Sequence, residues 1–344
     1  MADLKNVMGV SASDIKNIMG VAVADIKSVV GLDFPAGFLA YQGATHFSFA
    51  GLGNASDTNK SQDIFSMNIA SHSSVSDIGD LGTHTDHSGT CGSNVSNGNR
   101  IVFHEADGNY SDTLTYFAPA SWTGGSLSDF GDLDRSIYWS AGGSNGTIGL
   151  MGRGHRSDTS THYNSQVEKF TIASAANATV VGNGDNYGTD VSVSGSLTKS
   201  FWCGGYVGYQ DTISEFTYAS LGDSDDVGNL SQGRSQGAPQ SGSTEARVIL
   251  AFGGNQGGGS GAATEINYIN PASSGDGADF GDYTGFKPGG SPGDGTYMVS
   301  VGNKNTAGAV QDDVNHITIA STGNATFVGG ILPHNKAAGG QWAA

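Results

Sequence analysis

Apolar residues along this chain come in short runs, not in long stripes. Six of these runs are THFSFAGLG, RIVFHEADG, GTIGLMGRG, KSFWCGGYVG, RVILAFGGNQG and TYMVSVGNKN. Each is a brief, mostly apolar stretch that ends in small residues, which predicts a strand bounded by a turn. A second run follows each of them and ends in an Ala-Ser pair, at Ala70, Ala120, Ala173, Ala219, Ala272 and Ala320. Polar turn residues come next, for example SAANAT or STGNAT, and then a glycine: Gly79, Gly131, Gly182, Gly228, Gly281 or Gly329. Small-residue segments such as SGTCGSNVS and VSVSGSLT precede several of the first runs.

The steps between the Ala residues are 50, 53, 46, 53 and 48, so the chain repeats at about the length of four short strands. Four antiparallel strands per repeat, joined by hairpin turns, predict the blade of a β-propeller. Residues 34–344 are therefore expected to be all-β and to form six blades. The last segment, HNKAAGGQWAA, reads as the first strand of a further unit that does not continue. It is expected to complete the N-terminal blade, which removes two open sheet edges.

Residues 1–33 follow a different period. Asp3, Asp14 and Asp25, Lys5, Lys16 and Lys27, and Gly9, Gly20 and Gly31 recur every eleven residues. Apolar residues fall one, four and five places after each Asp, as at Ile15, Ile18 and Met19. That spacing predicts three short helical turns, capped by Asp and ended by Gly. So short a segment cannot bury its own apolar stripe, so an anchor docked on a partner is expected.

Composition narrows the function. The chain has 55 Gly, 14% charged residues and a net charge of −17, with 15 basic residues against 32 acidic ones. Few, scattered cations disfavour nucleic acid and anionic membranes as partners. No run has the length of a membrane span, and no basic-then-apolar leader opens the sequence. Cys91 and Cys203 have no zinc-type spacing and are expected to be buried thiols.

Residue pattern bears on several chemistries. The S-x-D-x-G-x-x-W box of sialidases is absent, and Arg100, Arg135, Arg153, Arg156, Arg234 and Arg247 show no pattern that gathers three together. Asp77, Asp129 and Asp279 recur between units and are expected to cap turns or bond neighbouring backbone. Glu105, Asp134, Glu168 and Glu245 break the repeat as catalytic carboxylates would, but nothing in the sequence links them. The acidic stretches at 222–229 and 274–282 lack the spacing of a Ca²⁺ loop and coincide with the repeated turn. His84 and His87, around Asp86, lack a third metal ligand, and GGNQGGGSG lacks the Lys and helix of a phosphate loop. Trp122 and Tyr163 lie in irregular parts of their units, placed either to stack on a sugar or to pack on a neighbour. No catalytic, cofactor or metal site is expected, and the chain reads as a binding or structural module.

The stretches HITIASTGNATFVGG, KFTIASAANATVVG and SDFGDL resemble the kelch-like repeats of bacteriophage virion proteins, especially those of cyanophages and other marine phages. DIKNIMGVAVADIKSVVGL resembles N-terminal repeats of phage structural and tail proteins. The resemblance implies a particle component assembled in the host cytoplasm and displayed on a tail, neck, fibre or capsid surface. Residues 1–33 would contact other virion proteins, the chain would be oligomeric in the particle, and the propeller would meet a host glycan or protein. The alternatives are a glycan-active propeller enzyme and a cellular kelch-type adaptor. The scarcity of the Gly-Gly pair of eukaryotic kelch repeats argues against the adaptor.

Overall fold

A computed structural model describes the chain from residue 63 onward except at 73–74, 81–93, 106–109, 123–126, 139, 157–162, 186–187, 190, 236–242, 245, 252–253, 256–263, 284–285, 288–290, 302–303, 306–312, 331–336 and 343–344. Ahead of residue 63 it describes 6–7, 10–11, 17–18, 21–22, 28–29, 32–33 and 46–51. The described residues form antiparallel sheets, with short 3-10 turns at Pro119–Ser121 and Tyr218–Ser220 and no α-helix.

Each apolar run becomes the second strand of a meander. The second unit is Asn94–Ser96, Ile101–His104, Ser111–Phe117 and Ser128–Tyr138. The third is Ala141–Ser144, Ile148–Arg156, Tyr163–Thr171 and Thr179–Asn183. The fourth is Ser192–Gly195, Lys199–Cys203, Thr212–Thr217 and Asp225–Asn229. Three strands represent the fifth unit, Val248–Ala251, Glu265–Ile269 and Ala278–Asp282, and three the sixth, Tyr297–Val301, Asp313–Thr318 and Thr326–Gly330. In the first unit, His46–Gly51, Asp63–Asn68 and Val75–Asp80 are preceded in the sheet by Ala337–Trp342, which sets Ala337 opposite Gly51 and Trp342 opposite His46.

The second strands are apolar almost without interruption because both of their faces are covered. Alternation along the strand assigns one face to each neighbouring unit. Phe201 packs with Val248 and Ile269 of the fifth unit, whereas Trp202 packs with Leu150 and Val167 of the third. Likewise Met298 packs with Ile249 and Ile266 of the fifth unit, and Val299 with Met67 and Ile69 of the first. Among the described residues the buried clusters join each unit to the next, and one joins the sixth to the first.

Polar contacts repeat at the same junctions. All six recurring glycines stand at a bulge in the third-to-fourth strand ladder, opposite Ile64, Leu114, Val167, Ile213, Ile266 and Val314. Beside four of them the turn of the next unit closes on the backbone. Asn177, Asp223, Asp276 and Asn324 accept from the N–H of Asp132, Asn183, Asn229 and Asp282 at 2.8–3.2 Å. The residue after each of these acceptors returns an N–H to the carbonyl of that same neighbour at 2.8 Å. Asp129 and Asp226 instead accept from the N–H of their own unit's glycine.

Just beyond these ends of the fourth strands, units are also joined by short ladders. Ile137 and Tyr138 pair with Arg156 and His155, Arg234–Ser235 with Gly254–Asn255, and Phe286–Lys287 with Lys304–Asn305.

The helical turns expected in residues 1–33 are not what the described residues form. Asn6–Val7 pairs with Val10–Ser11, Asn17–Ile18 with Val21–Ala22, and Ser28–Val29 with Leu32–Asp33, all antiparallel. Each pair of strands is separated in sequence by two residues, the second of them Gly9, Gly20 or Gly31. The apolar spacing suits this as well, because it sets Val7 opposite Val10, Ile18 opposite Val21 and Val29 opposite Leu32. Asp3, Asp14 and Asp25 lie outside the described residues.

Candidate functional site

An antiparallel meander sends its first and third connections to one end of the strands and its second and fourth to the other. The first end carries the short repeated turns, whose Asn and Asp side chains reach the far end of the preceding unit's fourth strand. The second, the loop end, carries the connections whose sequences differ most between units, the kind of segment that commonly carries binding residues on a rigid scaffold.

In the fourth unit the second connection reads GGYVGYQD. Its backbone is held by Gly205 N–H on the Arg234 carbonyl (2.8 Å), Tyr206 N–H on the Thr189 carbonyl (2.9 Å) and Arg234 N–H on the Gln210 carbonyl (2.8 Å). Tyr209 has φ of 52°, a left-handed conformation costly for an aromatic residue. A groove of about 670 Å³ lies between this loop and Ser231–Gly233, lined by Tyr209, Gln210, Asp211 and Gln232 among others. Tyr206 beside it is 46% exposed, and the two tyrosine rings stand 5.9 Å apart. Beneath the loop the fully buried Arg234 pairs with Glu265 at 2.7 Å and donates to the Glu265 carbonyl at 2.8 Å. Burial pushes the Arg234 guanidinium below its usual range, while the Glu265 carboxylate acts to raise it.

Between the second and third units Tyr110, Tyr138 and Tyr163 surround His155, with the Tyr110 hydroxyl 2.8 Å from His155 Nδ1. Tyr163 is therefore engaged edge-on with a neighbouring ring. Trp122 packs on Phe117 at 5.0 Å in the cluster that joins the first two units, so it serves the core.

The structure links two of the four repeat-breaking carboxylates. Asp134 N–H donates to Glu168 Oε2 at 2.7 Å, and Gln166 Nε2 reaches both carboxylates, at 3.3 Å and 3.1 Å. Burial raises the Glu168 carboxyl above its usual range, which fits a general acid. The fifth unit supplies the counter-evidence. There Asn267 occupies the equivalent place and accepts the N–H of Ser231 in the same way. An amide performs the same task, so Glu168 is a junction residue. The sequence concealed this contact because its partners belong to different units. Glu105 is buried elsewhere in the second unit, and Glu245 lies outside the described residues.

The arginines are dispersed. Arg100 stacks on Tyr116 and Arg247 on Tyr268, and each donates to a carbonyl of the following unit, Ile172 and Ile319 respectively. Arg153 is buried in the third unit, where burial lowers its guanidinium to about 10. Cys203 is a buried free thiol whose ionisation burial suppresses; Cys91, His84, Asp86 and His87 lie outside the described residues. Asp223 and Asp276, from the two acidic stretches, are occupied with neighbouring backbone, and no metal-like cluster occurs among the described residues.

His104 is a buried ring whose Nε2–H donates to the Ser111 carbonyl (2.9 Å), while Nδ1 takes the Ser140 hydroxyl (2.7 Å). Burial lowers its pKa from 6.5 to about 4. The unfolded chain therefore binds the proton first, and this contribution, present above about 6.5, is lost as pH falls through about 4. The loss is on the order of 3 kcal/mol. Urea unfolding at pH 7 and pH 4.5 is expected to show reduced stability at the lower pH, with a clearly smaller difference in His104→Gln. An identical difference in that variant would exclude His104 as the cause.

Comparison with known proteins finds no family model and no curated protein that matches this chain.

Proposed function

We propose that the six units close into a six-bladed, kelch-like β-propeller, and that the chain is a non-enzymatic binding component of a bacteriophage particle. The clusters that lead from unit to unit and from the sixth back to the first support closure, as does the pairing of Ala337–Trp342 with His46–Gly51. The virion assignment is supported by the resemblance of the repeats. Residues 1–33 dock the chain to other particle proteins, and the loop end faces a receptor or another subunit.

The observation that carries the binding role is the contrast between the two ends. The third connections repeat from unit to unit and are taken up by neighbouring backbone, whereas second connections such as GGYVGYQD and the Tyr110–His155 cluster leave the opposite ends of the strands and depart from the repeat. A surface held this way is formed before its partner arrives, so little ordering is lost on association, and several copies add avidity. Mass spectrometry of purified particles tests the assignment, together with competition of host adsorption by the free protein. The chain is expected in the particles, and excess free protein is expected to slow adsorption. Its absence from particles, or turnover of a polysaccharide by the purified chain, would defeat the proposal.

A further inference from the structure

We infer that the groove at the loop end of the fourth unit binds a neutral, hydroxyl-rich saccharide; the inference rests on reading that end as the presenting surface. Its volume of about 670 Å³ falls within the range of small-molecule sites. The lining suits sugars. Tyr209 gives one wall an amphipathic ring, and Gln210, Asp211 and Gln232 supply amide donors and carbonyl or carboxylate acceptors. Tyr206 is one of only three large hydrophobic residues exposed among the described ones, and it stands next to Tyr209 at the same loop.

The site is preformed. Gly233 lies against the Tyr209 carbonyl so closely that a Cβ there would overlap it, and Leu230 N–H donates to the Asp211 carbonyl at 2.6 Å. The two walls are thus fixed to one another, and the left-handed backbone at Tyr209 is held by its surroundings. Charge selects the class of sugar. Among the described residues no Lys or Arg lines the groove, Asp211 does, and the buried Arg234 below is already paired with Glu265. With a net charge of −17 on the chain, sulfated and sialylated glycans are disfavoured.

Isothermal titration of the full chain with neutral malto-, cello-, xylo-, manno- and chitohexaose, and with a heparin hexasaccharide, tests this. At least one neutral hexasaccharide is expected to bind saturably and the heparin fragment to give no heat. Tyr206→Ala and Gln232→Ala, checked for unchanged melting, are each expected to weaken binding about 5–10-fold. Val180→Ala, at an exposed position on the third unit, is expected to bind like the parent. Silence from all five neutral sugars, binding of heparin alone, or parental affinity in both groove variants would overturn the inference. Saccharide binding by a chain absent from particles would sink the virion assignment and keep the groove; a particle protein deaf to these sugars would do the reverse.

Discussion

Deleting residues 334–344 is expected to leave a chain that no longer melts in one cooperative transition. Ala337–Trp342 supplies the ladder for the whole length of His46–Gly51, and it lies beside Asn94–Ser96 of the second unit. Without it the first sheet has a bare edge where it had a partner. The neighbouring interfaces, around Met67 and Ile69 on one side and Ile78 on the other, then rest on a three-stranded remnant. Domains of this kind have net stabilities of only about 5–15 kcal/mol, so loss of one strand from such a sheet takes most of the margin. Circular dichroism on heating, with and without a synthetic 334–344 peptide, measures the effect. An unchanged melting curve in the truncated protein would show that this strand contributes nothing to the fold.

Gly131→Ala is expected to be strongly destabilising. Gly131 has φ of 139°, and a Cβ built on it would lie 2.5 Å from the carbonyl carbon of Ala176 and 2.8 Å from the amide nitrogen of Asn177. Both atoms are backbone, so no side-chain rotation relieves the overlap. The turn must withdraw, which also lengthens the bond from Asp132 N–H to Asn177 Oδ1 and its 2.8 Å return from Ala178. Backbone strain and overpacking together suggest about 3–5 kcal/mol. Asn177→Ala removes only the side-chain acceptor and is the lesser lesion, about 1 kcal/mol. Urea unfolding of the two variants separates them, and a Gly131→Ala protein no weaker than Asn177→Ala would show that the close approach has slack.

Much of this architecture was legible in the repeat. The six Ala-Ser pairs precede the third-to-fourth strand turns, and the six glycines mark the bulges, because each copy meets the same neighbour in the same way. HNKAAGGQWAA was legible as a strand because it copies the first strand of a unit. Residues 1–33 misled because apolar spacing alone does not separate a helical turn from a hairpin with a two-residue link. Contacts between units were hidden for a related reason. Nothing in EKF or DLDR announces that Glu168 takes the N–H of Asp134. The groove had a faint signal, two tyrosines in GGYVGYQD where the second connection of the other units holds at most one, but its second wall at Ser231–Gly233 comes from a different connection.

The pairing of Gly51 with Ala337 also sets a timetable for biosynthesis. While the ribosome is still making the later units, His46–Gly51 lacks its partner on that side. At ordinary elongation rates of about 5–20 residues per second, the wait is roughly 15–60 s. Throughout that interval the nascent chain exposes a strand built from HFSFAG, which has every incentive to pair with a neighbouring copy. Yield on overproduction therefore depends on what shelters that edge until translation is finished, more than on the stability of the finished molecule.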